Sequence, residues 1–236
     1  MARSWRLHLP LIRAVASGVV PYLLAVTLQA QTGRPLIPEA LGAAVLWFLA
    51  GSLYTQLFEY VYHRWPMHVG VRHLEHAKRT HLEHHRIFTG ERFRSREAED
   101  LRYVVSEWYV FPMLFAVHYS IFLLIFPAAY APLFFLGVTA HFLAYEVCHW
   151  FTHVEDNAFD RVLGGIPLVR SARAYQMRHH QLHHAIPVVN FNFTPPYTGD
   201  RLAATLGPDE SLPSSSPHER TDRDLTTAAR TRRRSG

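Results

Sequence analysis

The chain has 236 residues, enough for one sizeable domain that folds without disulfides or a structural metal. Hydrophobic residues make up 49% and charged residues only 18%. This composition excludes disorder along the whole length and indicates that lipid covers part of the surface. The single cysteine, Cys148, excludes an internal disulfide and any CxxC zinc site. Much of the net charge of +5 comes from arginines near the two ends, for which a membrane surface is a better partner than nucleic acid.

Four apolar runs approach the length of about 20 residues that a helix needs to cross a bilayer. They cover residues 14–30, 41–60, 108–126 and 129–148. The first run follows Arg13 and also fits a cleavable signal peptide, so its removal is left open. The connection at 127–132 is short, which predicts a tight hairpin between the last two runs.

The distribution of arginines sets the expected orientation. By the positive-inside rule, the N-terminus and the arginine-rich stretch 61–107 lie in the cytoplasm, and the segment from 149 onward returns to the same side. The predicted fold class is all-α: a multi-pass membrane protein with about four transmembrane helices in two hairpins and a cytoplasmic, histidine-rich helical cap. Residues 1–40 form the N-terminal segment with the first span, 41–204 the main domain, and 205–236 a polar tail that its composition predicts to be disordered.

Histidine is the residue type that points to chemistry. The chain has 17 histidines, most of them between 63 and 85 or between 149 and 184. In the motif HRWPMH, His63 and His68 would point about 140° apart on a regular α-helix. Pro66 is expected to end the helix near Arg64, so that both imidazoles converge on a metal just outside the membrane.

Three further motifs place histidines at helical spacings. HLEHH and HHQLHH carry them at i, i+3 and i+4, and HWFTH carries them at i and i+4, so each motif presents its imidazoles on one helix face. A single interfacial histidine is unremarkable, but four such clusters exceed the needs of one ion, and neutral imidazole binds Zn, Cu, Fe and Ni. The sequence therefore predicts two adjacent metal ions. The candidate ligands are His63, His68, His81, His84, His85, His149, His153, His180, His183 and His184.

Several other polar residues stay open at this point. Three histidines are candidates for outer ligands: His73, His76 and His179. Glu59 and Glu146 precede ligand candidates by about one helical turn, and each could accept a hydrogen bond from a ligand imidazole, pair between helices or be solvated. His118 and His141 lie within predicted spans, where a packing or hydrogen-bonding role is expected.

The motifs HRWPMH, HLEHH, HWFTH and HHQLHH, in this order and between two membrane hairpins, resemble the fatty acid hydroxylase/sterol desaturase superfamily of integral-membrane di-iron enzymes. The resemblance covers about residues 40–204. The stretch NFNFTPPYTGDRLAAT is similar to the family's closing motif, but Tyr197 and Thr198 stand where tryptophan is common, and Ala203-Ala204 replaces Phe-Gly. These departures leave the metal ligands intact and weaken analogies about the substrate pocket.

The resemblance implies two iron ions on the ten histidines, with zinc as a competitor in purified protein, and O2 as co-substrate. The implied reaction inserts one oxygen atom into an unactivated C–H bond of a lipid-like apolar substrate, with no catalytic residue beyond the metal ligands. The sequence shows no haem, flavin or iron–sulfur motif, so a separate electron donor is expected, such as a ferredoxin or a cytochrome b5-type carrier with its reductase. Cytoplasmic arginines either dock that carrier or only set the topology, among them Arg86, Arg92, Arg94 and Arg96.

Three alternative functions stay open. A desaturase of the same superfamily would use the same ligands. A divalent-metal-binding or transport protein would need ligands along a path near the bilayer midplane, whereas these clusters lie outside the predicted spans. A zinc hydrolase would require an HExxH helix, which the sequence lacks.

Overall fold

The computed structural model describes residues 7–208, and every regular element within that range is helical. The all-α class is therefore confirmed. The apolar helices are α1 (Leu9–Gln31), α2 (Leu41–Tyr62), α5 (Val110–Ile125) and α6 (Ala131–His153). The more polar helices are α3 (Glu75–Ile87), α4 (Ala98–Leu101), α7 (Ala158–Leu163), α8 (Pro167–Ala185) and α9 (Thr198–Ala203). Shorter turns occupy His63–Val69, Gly90–Arg92 and Ala128–Tyr130.

Three helical segments are long and apolar enough to cross a membrane: Leu9–Gln31, Leu41–Val69 and Ala128–His153. The run predicted at 108–126 does form an apolar helix, but α5 has 16 residues and is about 24 Å long, shorter than the hydrocarbon core. Leucines such as Leu24, Leu46 and Leu124 are largely exposed on these helices. Their exposure is explained by a lipid environment.

The apolar helices alternate in direction. Gln29, near the end of α1, donates to the carbonyl of Ala128 at 3.0 Å, just before α6 begins. At the opposite end, the His8 ring, just before α1, lies 6.1 Å from the Trp150 ring near the end of α6. Phe111, at the start of α5, stacks on Phe142 of α6. The same end of the bundle therefore carries the start of α1 and α5 and the end of α2 and α6, and the polar helices gather there.

Helices α2 and α6 cross at glycine. A Cβ on Gly51 would lie 1.9 Å from the Phe134 carbonyl oxygen, and a Cβ on Gly137 would lie 2.1 Å from the Phe48 carbonyl oxygen. Only glycine permits backbones this close, as is common between membrane helices. The crossing fixes the spacing between the two helices that lead into the histidine motifs.

Two buried apolar clusters support this frame. One lies between α5 and α6 and is rich in phenylalanine, with Phe115 and Phe135 at its centre. The other lies at the polar end, where Phe88, Leu101 and Trp150 are fully buried. The second cluster anchors the loops after α3 to the end of α6.

The segment after α9 folds back onto the domain. The Thr205 hydroxyl donates to Asp200 at 2.6 Å, and the Gly207 amide donates to the Asn190 side chain at 2.8 Å. Residues 205–208 of the predicted tail are thus bonded to the domain. The remainder of that tail, 209–236, lies outside the described residues, as do residues 1–6.

Candidate metal centre

The motif HRWPMH forms a π-helical turn over His63–Val69 directly after α2. The expectation that the helix ends and the chain turns near Arg64 is wrong in this detail. Pro66 has no N–H to bond to the carbonyl four residues earlier, and the helix widens to an i→i+5 pattern instead of stopping. The Gly70 amide, for example, bonds to the Trp65 carbonyl at 2.7 Å. Residues five apart lie above one another in such a turn, so His63 and His68 share a face.

The structure brings nine of the ten predicted ligands into two groups in which the nitrogen atoms lie within 4.8 Å of one another. We call them the five-histidine set and the four-histidine set. His149 adjoins the second, with its Nε2 3.0 Å from that of His180. The five-histidine set consists of His63, His68, His81, His85 and His183, and the four-histidine set consists of His84, His153, His180 and His184.

Each i, i+3, i+4 motif is divided between the two sets. In α3, His81 and His85 belong to one set and His84 to the other. Four residues advance an α-helix by 40° beyond a full turn, whereas three fall 60° short, so the middle histidine points about 100° away from the last. Helix α8 shows the same division, since His183 belongs to the five-histidine set and His180 and His184 belong to the four-histidine set. The sets adjoin each other, since the rings of His85 and His184 stack at 4.2 Å.

The nitrogen positions fit metal coordination. Two nitrogens that bind one ion at about 2.1 Å and at right angles lie about 3.0 Å apart. The Nε2 of His81 lies 2.9 Å from that of His63 and 3.0 Å from that of His68. In the other set, the Nε2 of His180 lies 3.0 Å from that of His153 and 3.1 Å from that of His184. Nitrogen atoms at these separations could hold a metal ion in each set.

The outward ring nitrogens hold the imidazoles in the required tautomer. The Nδ1–H of His63 donates to the Phe191 carbonyl, that of His153 to the Phe93 carbonyl at 2.9 Å, and that of His183 to the Val189 carbonyl at 2.7 Å. A carbonyl oxygen can only accept, so the Nδ1 that faces it must carry the hydrogen. Each Nε2 then keeps its lone pair for a metal.

Burial also keeps the polar-helix histidines neutral. Burial, reinforced by neighbouring imidazoles, lowers the pKa of His84, His180 and His183 well below the usual value. Burial likewise lowers the pKa of His184 to about 3. Neutral imidazole is the metal-binding form, so protons do not compete for these ligands near neutral pH.

The segment 190–200, which follows α8, covers the site from one side. The Phe191 ring packs against His63 and His183, and the Phe193 ring packs against His149 and His180. Asp200 holds this segment in place, since its carboxylate accepts from the Phe191 amide at 2.9 Å and from the Asn192 amide at 2.6 Å. The stretch thus shields the histidines from water.

The residues left open by the sequence do not join the sets. The His179 Nε2 bonds to the Asn192 carbonyl at 2.9 Å, while His73 and His76 lie exposed outside the site. Glu59 binds His141 on α6 at 2.8 Å, not His63, and Glu146 accepts the Ser106 amide at 3.2 Å, not a proton from His149. Glu59 therefore pairs α2 with α6, whereas Glu146 holds the loop before α5.

Two cavities reach the site. The first lies among α2, α5 and α6, has mainly aromatic walls, and extends from Tyr54 to His63, with about 820 Å³ of empty space including its mouth. The second, of about 1080 Å³ measured in the same way, is lined by His76 and Glu107 and reaches His81 and His149. One cavity is thus mainly apolar, and the other leads past polar residues.

Sequence reasoning missed the partners of the histidines. Phe93 contributes its carbonyl to His153 and its ring to His184, and Val189 contributes only a carbonyl. A backbone carbonyl is common to all residues, so no side-chain pattern could have identified these positions.

Comparisons with protein-family models, with curated proteins and with solved structures give no match. The resemblance drawn from the histidine motifs therefore stays a prediction.

Proposed function

We propose that this chain is an O2-dependent membrane oxidoreductase that hydroxylates an unactivated C–H bond of a lipid-like substrate at a histidine-ligated di-iron centre. The observation that carries the proposal is the pair of adjacent histidine sets at the end of an apolar cavity. The order and spacing of the histidine motifs support the same activity. A desaturase reaction would use the same site and differ only in the fate of the substrate.

Two bound irons would supply the redox chemistry that side chains lack. The balanced reaction consumes O2, two electrons and two protons; one oxygen atom enters the C–H bond as a hydroxyl group, and the other leaves as water. The chain's own residues hold the site together and keep water out. His63, His153 and His183 are fixed by backbone carbonyls, and Phe191 and Phe193 exclude solvent.

The two cavities suit different reactants. The aromatic cavity ends at His63 and would hold an apolar chain that enters from the bilayer. The second cavity passes His76 and Glu107 on its way to His81, so it provides a polar route for protons. In this proposal the four apolar helices form two membrane hairpins, and the histidine end faces the cytoplasm.

A separate carrier delivers the electrons in this proposal, and the arginines differ in what they offer it. Arg86 is paired with Glu83, Arg94 with Asp160 at 2.9 Å, and Arg96 with Glu155 at 2.8 Å. Arg92 is exposed and has no acidic partner among residues 7–208. An acidic carrier would therefore gain most from Arg92, which flanks Phe93 and hence the carbonyl bonded to His153.

Replacing one histidine from each set tests the centre. His84→Ala and His183→Ala should each lower the metal content from two ions toward one per chain and reduce turnover by more than about 100-fold, since even the loss of an outer partner costs about 10–100-fold. Metal analysis and product quantification measure the two effects. Leu82→Ala, on the same helix as His84 but exposed and outside both cavities, is the matched control and should keep both metals and the turnover.

The identity of the metal and the source of oxygen decide between functions. Protein reconstituted with ferrous iron, a reductant and ¹⁸O2 should form hydroxylated product that carries the label, whereas zinc protein should be inactive because zinc has no redox chemistry. Label arriving from water, or product formed with zinc alone, would exclude the proposal. Two tightly bound ions without oxygenation of any lipid tested would instead favour a metal-binding function.

A further inference from the structure

Two histidines outside the metal sets lie in the wall of the aromatic cavity. His118 belongs to α5 and His141 to α6, and both line the cavity that ends at His63. Most of the remaining wall is aromatic or aliphatic, including Phe58 and Phe111. Polar ring atoms in such a wall are costly unless something satisfies them.

The tautomer of His118 follows from its bond within α5. Its Nδ1 lies 2.7 Å from the Leu114 carbonyl oxygen, and only an N–H can bond to that acceptor. The Nε2 is therefore the ring nitrogen that can accept a hydrogen bond. It has no hydrogen-bond partner within residues 7–208. The rings of Tyr54 and Phe58 pack edge-on against His118 at 5.9 and 5.1 Å and hold its orientation.

His141 lies in the same wall but belongs to a different network. Its Nε2 lies 2.8 Å from Glu59 and 2.9 Å from the Thr194 hydroxyl. The Glu59 carboxylate also accepts from the Phe193 and Thr194 amides and from the Thr194 hydroxyl at 2.7 Å. A carboxylate with this many donors acts only as an acceptor, so His141 donates to it through Nε2. His141 is thus held by Glu59 and Thr194, and it is the Nε2 of His118 that has no partner in the described part of the chain.

We infer that the cavity selects an otherwise apolar substrate that carries a hydroxyl group, which donates to the Nε2 of His118. Apolar walls bind the skeleton through burial, and an unpaired acceptor favours a molecule that brings its own donor. His118 packs against Tyr54, which helical rise places about 14 Å along α2 from His63. The recognised hydroxyl therefore lies on a part of the molecule remote from the carbon that is oxidised.

This inference rests on the proposed function for calling the occupant a substrate, but its test does not require turnover. Decanol and decyl methyl ether present similar chains, and only decanol has a donor. Binding to the full chain in lipid nanodiscs, with partition into empty nanodiscs subtracted, should favour decanol by about two- to tenfold, as one net hydrogen bond predicts. Equal affinities for the two compounds in the unmodified chain would overturn the inference.

Variants locate the preference. His118→Phe keeps a flat aromatic ring and removes the acceptor, so most of the decanol preference should disappear. Ser120→Ala is the matched control, because the Ser120 hydroxyl makes the same type of bond to a carbonyl four residues earlier but lies exposed outside the cavity. A preference that survives in a folded His118→Phe protein would contradict the assignment.

A spectroscopic measurement covers the case in which His118→Phe does not fold. In ¹⁵N NMR spectra of the zinc-loaded, ¹⁵N-histidine-labelled chain, decanol but not the ether should shift the signal of an unprotonated ring nitrogen. The absence of such a shift would contradict the inference. In the unmodified chain, equal binding of decanol and the ether together with intact ¹⁸O incorporation would reject this inference alone. A retained preference without oxygenation would instead reject the proposed function.

Discussion

At the scale of single residues, Asp160 ties together three segments beside the metal centre. Its carboxylate binds Arg94 of the loop after α3 at 2.9 Å and Arg173 of α8 at 3.2 Å. Burial raises the pKa of Asp160, but the hydrogen bond from Asn157 and the charges of both arginines outweigh burial and bring the pKa below its usual value. The ionised form is thus favoured by folding, and Asp160 contributes stability above its unfolded pKa.

Asp160→Asn should lower the free energy of unfolding by about 1.5–3 kcal/mol at neutral pH, the range for hydrogen bonds to charged groups. The difference from the unmodified chain should stay constant from pH 8 to about pH 5 and shrink below about pH 4, since the carboxylate of the unmodified chain then becomes protonated. Thermal unfolding of both metal-free proteins across this range measures it. Asp156→Asn, which removes an exposed partner of Arg96, should cost less than about 1 kcal/mol at any pH. An Asp160→Asn effect independent of pH would contradict the ionic role.

At the scale of elements, the glycine crossing of α2 and α6 controls how the two halves of the site meet. Gly51→Ala would place a methyl group against the Phe134 carbonyl and should push the helices apart, at a cost of about 1–3 kcal/mol. Gly42→Ala, on the same helix, meets nothing within 4 Å and should be neutral or slightly stabilising, since alanine favours helix. Melting temperatures and metal content measure both. Equal behaviour of the two variants would show that the crossing does not matter.

The elements also show what a sequence can predict. The histidine spacings identified the histidines that converge, because side chains three and four apart on a helix have fixed relative directions. They did not predict that His84 and His183 would each leave its neighbours for the other set, since that choice depends on how α3 and α8 are placed by the rest of the fold. The π-helical turn at Pro66 was not predicted either, because proline is compatible with both a break and a widened turn.

At the scale of the whole molecule, both histidine windows lie at one end of the helical bundle. The structure shows this directly, since His81 and His183 belong to the same set although α5 and α6 separate them in the sequence. The short loops at 32–40 and 126–130 lie at the other end. If the bundle crosses a membrane, the two ends face different compartments.

Cysteine labelling tests this arrangement. In a Cys148→Ser background, Arg92→Cys and Arg170→Cys occupy exposed positions at the histidine end and should react with a membrane-impermeant thiol reagent from the cytoplasmic side. Glu39→Cys, exposed in the loop at the opposite end, should react only from the other side. Labelling of Arg92→Cys and Arg170→Cys from opposite faces would refute the shared orientation, and labelling of both from outside would invert the proposed topology.

The division of ligands between the two sets has a consequence for biogenesis. Each set takes histidines from the segment before α5 and from the segment after it, so neither can close until α8 has left the ribosome and both helix pairs are in place. If the sets bind metal, its uptake is the last assembly step, and the ions join the earlier and later parts of the chain. In a metal-starved cell, newly made chains would then accumulate with formed helices and an open histidine end.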